Sequence, residues 1–325
     1  MKILPTRGKP HGMLPALIAL NISPNSPISP NITTPISSHA YVFYATNTEY
    51  ACSVLINMAL IRKWGSKIRF VFLVTDKVPK AYVEKAASHF GAHIVSVTPP
   101  PPPAGTNPND VATYGEVMTK LLAFSLSTYG YTRILTLDAD QLVRKNLDHL
   151  FELPHVDIAI PRAYWYVEFH GVDKQPDGRG GVGWAASPLM VIELSPRLWK
   201  RVQGRLANLE KNEYDMDLIN HEFGNEVLLL PGRYVTLNNH WDTETVPKWS
   251  SFWTAESAKN RTTLSRVYEE EVEVVHFSAN VGRYGKPWTV PNGVIRENAH
   301  PVLKDMYLEW WTSAARLCPE WENTI

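Results

Sequence analysis

The sequence predicts an α/β fold with a mostly parallel central sheet and helices on both faces, and three observations carry that prediction. After residue 38 the segments alternate strand-like and helix-like, the order of a parallel sheet covered on both sides. The apolar run Arg133-Ile134-Leu135-Thr136-Leu137 has strand length and ends abruptly in Asp138-Ala139-Asp140, as a buried strand delivering acids to its open end would. At 325 residues with 44% hydrophobic side chains, the chain can bury one large core, and residues 39–325 read as a single domain.

Residues 1–38 read as a flexible lead-in, because positions 21–38 are rich in Ser, Pro, Asn and Thr and cannot pack a core. The apolar block Met13–Leu20 contains Pro15 and falls far short of the ~20 residues that span a bilayer, so no transmembrane segment is predicted. Lys2, Arg7 and Lys9 before it sketch a signal peptide, and Asn21, Asn31 and Asn260 fit the glycosylation acceptor pattern. The compartment stays open between a secretory or Golgi lumen and the cytoplasm.

Tyr41–Ala45 is the first predicted strand, and Thr46-Asn47-Thr48-Glu49 is a helix-start signal before an amphipathic run from Tyr50 to Trp64. Ile68–Val74 is a second strand, ending at Thr75-Asp76, and Pro79–Phe90 a second helix with Tyr82, Val83, Ala86 and Phe90 inward. Ile94–Val97 is a third strand before the stiff run Pro99–Pro103, which should lie on the surface. Tyr114–Tyr129 then reads as a helix with Val117, Leu121 and Phe124 on one stripe and Lys120 near its middle, leading into the Asp138 strand. Ligands bind beyond the carboxyl ends of strands in such sheets, so Asn47, Asp76 and Asp138–Asp140 should share one rim.

The second half is less regular. Strands are expected at Ile158–Pro161, Leu189–Leu194, Val227–Leu230, Tyr234–Leu237 and Glu273–Phe277, a helix at Asn212–Phe223, and a glycine-rich loop at Arg179–Gly183. Tyr307, Trp310, Trp311 and Leu317 recur at helical spacing, the mark of a docked core helix near the C-terminus.

Net charge is zero with both signs interspersed, which argues against a nucleic-acid groove and for small-molecule partners. Cys52 and Cys318 are too few for a disulfide framework, leaving one bridge or two buried thiols. In extended chain Asp138 and Asp140 point to the same side, close enough to share one hard cation. Asp215-Met216-Asp217 repeats the letters on a predicted helix, where the two acids would diverge by about 200 degrees, so only one of them is expected to face the site.

Tyr41–Tyr50, Thr119-Lys120-Leu121, Leu137–Asp140, Asp215–Phe223, and Val275-His276-Phe277 through Lys286-Pro287-Trp288 stand in the order seen in glycosyltransferase family 8. The resemblance covers most of residues 39–290 and leans toward the fungal N-acetylglucosaminyltransferases of that family rather than toward glycogenin. It implies a GT-A fold, a UDP-sugar donor of hexose or N-acetylhexosamine type with GlcNAc or Glc favoured, Mn2+ with Mg2+ as the alternative, and retention of configuration. By the same resemblance Asp138, Asp140 and His276 hold the metal. Ala45, Thr46, Asn47 and Tyr50 surround the uracil and ribose, and Lys120 lies near the phosphates or donor sugar. Ala139, Ser187, Gly285, Lys286 and Trp288 complete the donor site, with Lys286 on the diphosphate and Asp215 as the acid near the anomeric carbon. Ala186-Ser187-Pro188 departs from the family's Asn-Ser-Gly, so one amide and one flexible glycine on the donor-sugar side are missing, and Met216 stands where many members have Gln, so that only Asp215 of the pair is carried over. The acceptor is a glycan, a protein or a small molecule, and a homodimer is left open. Two alternatives stand beside this one: a phosphohydrolase of haloacid-dehalogenase type using Asp138 and Asp140, and a non-catalytic UDP-sugar or glycan-binding protein on a transferase scaffold.

Overall fold

The computed structural model describes residues 38–103, 105–107, 116–165, 184–243, 263–278, 285–290 and 299–321. Its spine is a sheet in the order β3-β2-β1-β4-β7-β6-β8, with β1 at His39–Ala45, β2 at Arg69–Val74, β3 at His93–Ser96 and β4 at Arg133–Leu137. These four are mutually parallel neighbours. The second half adds β6 (Ile158–Pro161), β7 (Leu189–Glu193) and β8 (Leu228–Leu230), and here β7 runs antiparallel to both β4 and β6.

A second, three-stranded sheet joins β5 (Gln141–Val143), β10 (Val274–His276) and β9 (Thr236–Leu237). Asp138-Ala139-Asp140 is therefore the short passage by which the chain leaves the large sheet and enters the small one. The expected strand Tyr234–Leu237 is shorter than its sequence suggests, because a 3-10 turn at Gly232–Val235 takes its first half.

Helix α1 (Thr48–Lys63) departs from the amphipathic reading: Ala51 to Ile61 are buried all round. A helix with no solvent face needs cover on every side, and the C-terminal helix Pro301–Leu317 supplies it. Trp310 Nε1 donates to Ser53 Oγ at 2.7 Å, and Cys52 is disulfide-bonded to Cys318, which decides between the two states left open for those cysteines. Helix α2 (Lys80–Phe90) turns Tyr82, Ala86 and Phe90 inward and ends on Gly91, whose φ of 65° gives the left-handed cap that a side chain would strain.

The segment before β4 is a 3-10 helix, Val117–Tyr129, rather than the expected α-helix from Tyr114. With the helices Pro196–Leu206 and Asp215–Phe223 it covers the sheet face opposite α1, so each face has its own apolar core. Pro101 and Pro102 are exposed, whereas Pro103 is buried, so the polyproline run is not wholly a surface spacer. The glycine-rich loop Arg179–Gly183, the three acceptor asparagines and the lead-in to residue 37 lie outside the described residues.

Candidate functional site

Strand register builds the site. Pairing of Ala45 with Val74 and of Phe43 with Leu137 brings the carboxyl ends of β1, β2 and β4 to one rim, with Thr46, Asn47 and Asp138 just beyond them. Asp76 follows β2 at that end but is exposed and stays outside the polar cluster. The small sheet brings in the other half: β10 runs antiparallel to β5, so His276 arrives opposite Gln141, next to Asp140.

Asp138 and Asp140 enter two different polar groupings. Lys120 Nζ lies 2.6 Å from Asp138 Oδ1 and 2.8 Å from Asp215 Oδ2, and its side chain is only 4% exposed. Ser187 Oγ donates to the same Asp215 oxygen, and the Tyr44 ring lies 5.8 Å from the ammonium. Asp140 pairs instead with Lys286, whose Nζ also donates to the Phe277 carbonyl at 2.6 Å, while His276 Nε2 stands 3.5 Å from Asp140 Oδ1.

The electrostatics follow this division. Burial pushes the Asp138 carboxyl up to about 7, and neighbouring Asp140 and Asp215 add to that against the pull of Lys120. Burial acts on Asp140 in the same direction, but Lys286 and His276 outweigh it and hold that carboxyl well below the usual range. Lys120 goes up: burial opposes its charge, yet two carboxylates outweigh burial. Burial lowers His276 against the opposing pull of Asp140, which favours the neutral imidazole, the form in which a histidine can ligate a metal.

One ligand atom each from Asp138, Asp140 and His276 lie within 4.8 Å of one another. Two carboxylates and an imidazole suit Mn2+ better than an all-oxygen set would. The fit has a second support: Asp140 Oδ1 and His276 Nδ1 are buried without a hydrogen-bond partner among the described residues. Such atoms are costly to leave unmade and mark where a ligand or ion would complete the shell.

Of the other expected site residues, Ala45 and Thr46 are buried at the rim, and Ala45 O accepts from Thr75 N. Asn47 caps α1, its Oδ1 accepting from Tyr50 N at 2.9 Å, so its carbonyl oxygen has a structural partner already. Tyr50 meets Trp288 edge-on at 5.1 Å between ring centroids. Gly285 O accepts from Tyr307 OH at 2.7 Å, which fixes the Lys286 segment to the C-terminal helix. Asp217 turns away from the cluster to accept from Tyr214 N as a helix cap, so the second D-x-D divides as helix geometry requires.

Lys120 lies between two carboxylates beside the expected donor site: a helix-face lysine would ordinarily snorkel to water, whereas this one is buried against Asp138 and Asp215. Asn57 was not singled out by sequence at all. It is fully buried on α1, donates from Nδ2 to Gln141 O at 2.7 Å and to Ala139 O at 3.3 Å, and accepts from Val143 N at 3.1 Å. That one amide stitches the passage between the two sheets. Its signal was a lone asparagine inside the apolar run Val54–Ile61.

No family model matches the chain. It is 28% identical over 272 residues, 80% of its length, to Glucose N-acetyltransferase 1 of Gibberella zeae, and spans 54% of that protein. Among solved structures it matches the galactosyltransferase LgtC in complex with donor and acceptor sugar analogs, covering 88% of this chain and 100% of that one with a TM-score of 0.57 and 18% identity. It likewise matches the bifunctional glycosyltransferase WbbM, over 92% of this chain and 53% of that one, with a TM-score of 0.58 and 13% identity. At those identities the likeness is one of fold: the chain has the α/β GT-A fold of these glycosyltransferases.

Proposed function

We propose that the chain is a metal-dependent, retaining glycosyltransferase of family 8, moving a hexose or N-acetylhexosamine, GlcNAc or Glc favoured, from a UDP-sugar to a glycan, protein or small-molecule acceptor. The observation that carries this reading is the Asp138–Asp140–His276 cluster, within 4.8 Å, at the strand-end rim of a GT-A fold with Lys120 and Lys286 on either side. The named relative from Gibberella zeae, Glucose N-acetyltransferase 1, supports a transferase acting on a sugar.

A divalent cation held by these three residues would neutralise charge on the departing diphosphate. Lys286, already directed at the metal cluster, places a fixed positive charge where the phosphates would lie. Asp215, held from two sides by Lys120 and Ser187, has a locked carboxylate to set beside the anomeric carbon. Lys120 serves on the donor-sugar side, compensating two acids that would otherwise repel each other and an electron-rich substrate. Ala45, Thr46, Asn47 and Tyr50 line the nucleoside end, Trp288 walls it against Tyr50, and Ala139 and Gly285 border the diphosphate. The buried Cys52–Cys318 bridge supports an oxidising, secretory compartment over the cytoplasm.

Incubation with Mn2+ and a panel of UDP-sugars, with UDP release as the readout, tests the proposal. Release from UDP-GlcNAc or UDP-Glc is expected. Binding of Mn2+-UDP with no release and no transfer to any acceptor would instead indicate a non-catalytic binding protein, and rapid phosphate release from a simple phosphomonoester would indicate the phosphohydrolase.

A further inference from the structure

Gln141 follows the metal cluster directly, and nothing in the roles above accounts for it. Its side chain is fully buried, and neither Nε2 nor Oε1 has a hydrogen-bond partner among the described residues. An unsatisfied buried amide is destabilising. Its neighbours in the ladder, Leu142, Val143, Val274 and Val275, are all buried apolar residues, so nothing in the strand itself calls for an amide here.

A second orphan lies directly across the ladder. Gln141 is the register partner of His276, whose Nδ1 is buried and unpartnered. The backbone bonds Phe277 N to Asp140 O at 3.0 Å and Arg144 N to Glu273 O at 2.8 Å mark the hydrogen-bonded pairs of this antiparallel ladder. Alternation then makes Gln141 and His276 a non-hydrogen-bonded pair, the kind whose side chains share a face and approach most closely. The outward carbonyls agree: Gln141 O accepts from Asn57, and His276 O from Asn238 N at 3.1 Å. Two complementary groups, an amide with an acceptor to offer and an imidazole nitrogen in need of one, therefore stand on the same face of neighbouring strands, with no hydrogen bond made between them. The other ring nitrogen, Nε2, is turned to Asp140 at 3.5 Å.

We propose that Gln141 is a positioning residue for His276: a change of side-chain rotamer lets Gln141 Oε1 accept a hydrogen bond from Nδ1–H, a bond left unmade among the described residues, which fixes the tautomer and leaves the Nε2 lone pair directed at a divalent cation shared with Asp138 and Asp140. This rests on the reading of His276 as a metal ligand. Partners of this kind orient ligating histidines and raise their basicity, and their loss typically weakens metal binding ~10–100-fold. It also explains why an amide is kept among apolar neighbours.

The test is Mn2+ titration, followed by calorimetry or paramagnetic resonance, on wild type, Gln141→Leu, Gln141→Glu and Asp140→Asn, each with a melting curve. Gln141→Leu is expected to bind Mn2+ about 10–100-fold more weakly while melting no lower than wild type. Gln141→Glu, which keeps the acceptor, is expected to recover that affinity. Nitrogen NMR of His276 in the metal-free protein is expected to show the Nδ1–H tautomer in wild type and a mixture in Gln141→Leu. Wild-type Mn2+ affinity in Gln141→Leu, or a lower melting point with unchanged affinity and tautomer, overturns the proposal. Asp140→Asn separates the two failures. Loss in Asp140→Asn with none in Gln141→Leu removes the role of Gln141 alone, and retention in both removes the metal-site reading as well.

Discussion

Asp138 and Asp140 stand one residue apart, yet they belong to differently built halves of the site. On the large-sheet side, Lys120, Asp138, Asp215 and Ser187 close on one another, and none of their buried polar atoms lacks a partner. On the small-sheet side, Asp140, His276 and Lys286 are in contact, but Asp140 Oδ1, His276 Nδ1 and both amide atoms of Gln141 are left without partners among the described residues. The difference teaches where rigidity and where affinity reside. A closed charge cluster is set before substrate arrives and holds its acids in fixed positions, whereas buried groups with unmade bonds have free energy to gain from an incoming ion.

The comparison can be broken most sharply at Asp140. Asp140→Asn should lower UDP release by about a thousand-fold or more and weaken Mn2+ binding, since it removes one of the three proposed ligands, while circular dichroism still reports a folded chain. Full activity in that variant would end the assignment.

The closed half should instead show itself in stability. Lys120→Met strips the cation from two buried carboxylates and should cost about 3–5 kcal/mol in urea unfolding. Lys286→Met should cost less, because Lys286 faces one carboxylate and is 14% exposed against 4% for Lys120. Equal losses would mean that the two halves do not differ as described.

Asn57 ties the halves together, so Asn57→Leu should cost about 1–3 kcal/mol through the unpaired peptide groups it leaves at Gln141 and Val143. Metal affinity should fall with it. A destabilised variant with unchanged Mn2+ binding would show that the passage keeps its shape without the stitch.

The last effect is in pH. The Asp138 carboxyl is raised from 3.8 to about 7, so the folded chain binds more protons than the unfolded one over that window, and stability falls as pH rises from about 4 to 7. Asp140 has the opposite sign: its lowered carboxyl contributes stability above its unfolded value, and that contribution is lost on acidification. Melting curves against pH should thus show Asp138→Asn flattening the neutral limb and Asp140→Asn flattening the acid limb. The same limb flattened by both variants would contradict the division.

Much of this was legible in one dimension. The β-α-β-α start and the strand ending in Asp138-Ala139-Asp140 rest on local periodicity, which backbone geometry converts directly into faces; the same geometry lets only one of Asp215 and Asp217 face the site, and the family resemblance picked Asp215. Less visible were features that depend on what packs where. Asn57 shows its role only in the packing of α1 against β5, and the α1 run looked amphipathic because the helix that covers it comes some 250 residues later in the 325-residue chain. The 3-10 winding at Lys120 has no distinct sequence signature, since its apolar spacing serves either helix type over a few turns.

The sequence by itself determined the elements, the charged residues at their ends and the α/β class, because hydrophobic period and helix or turn chemistry act over a handful of neighbours. Only the tertiary structure decided that Asp138 and Asp140 fall on opposite sides of a junction between two sheets. The cross-strand pairing of Gln141 with His276 and the meeting of Lys120 with Asp215 are contacts between residues far apart in the chain, and nothing local to either partner specifies them.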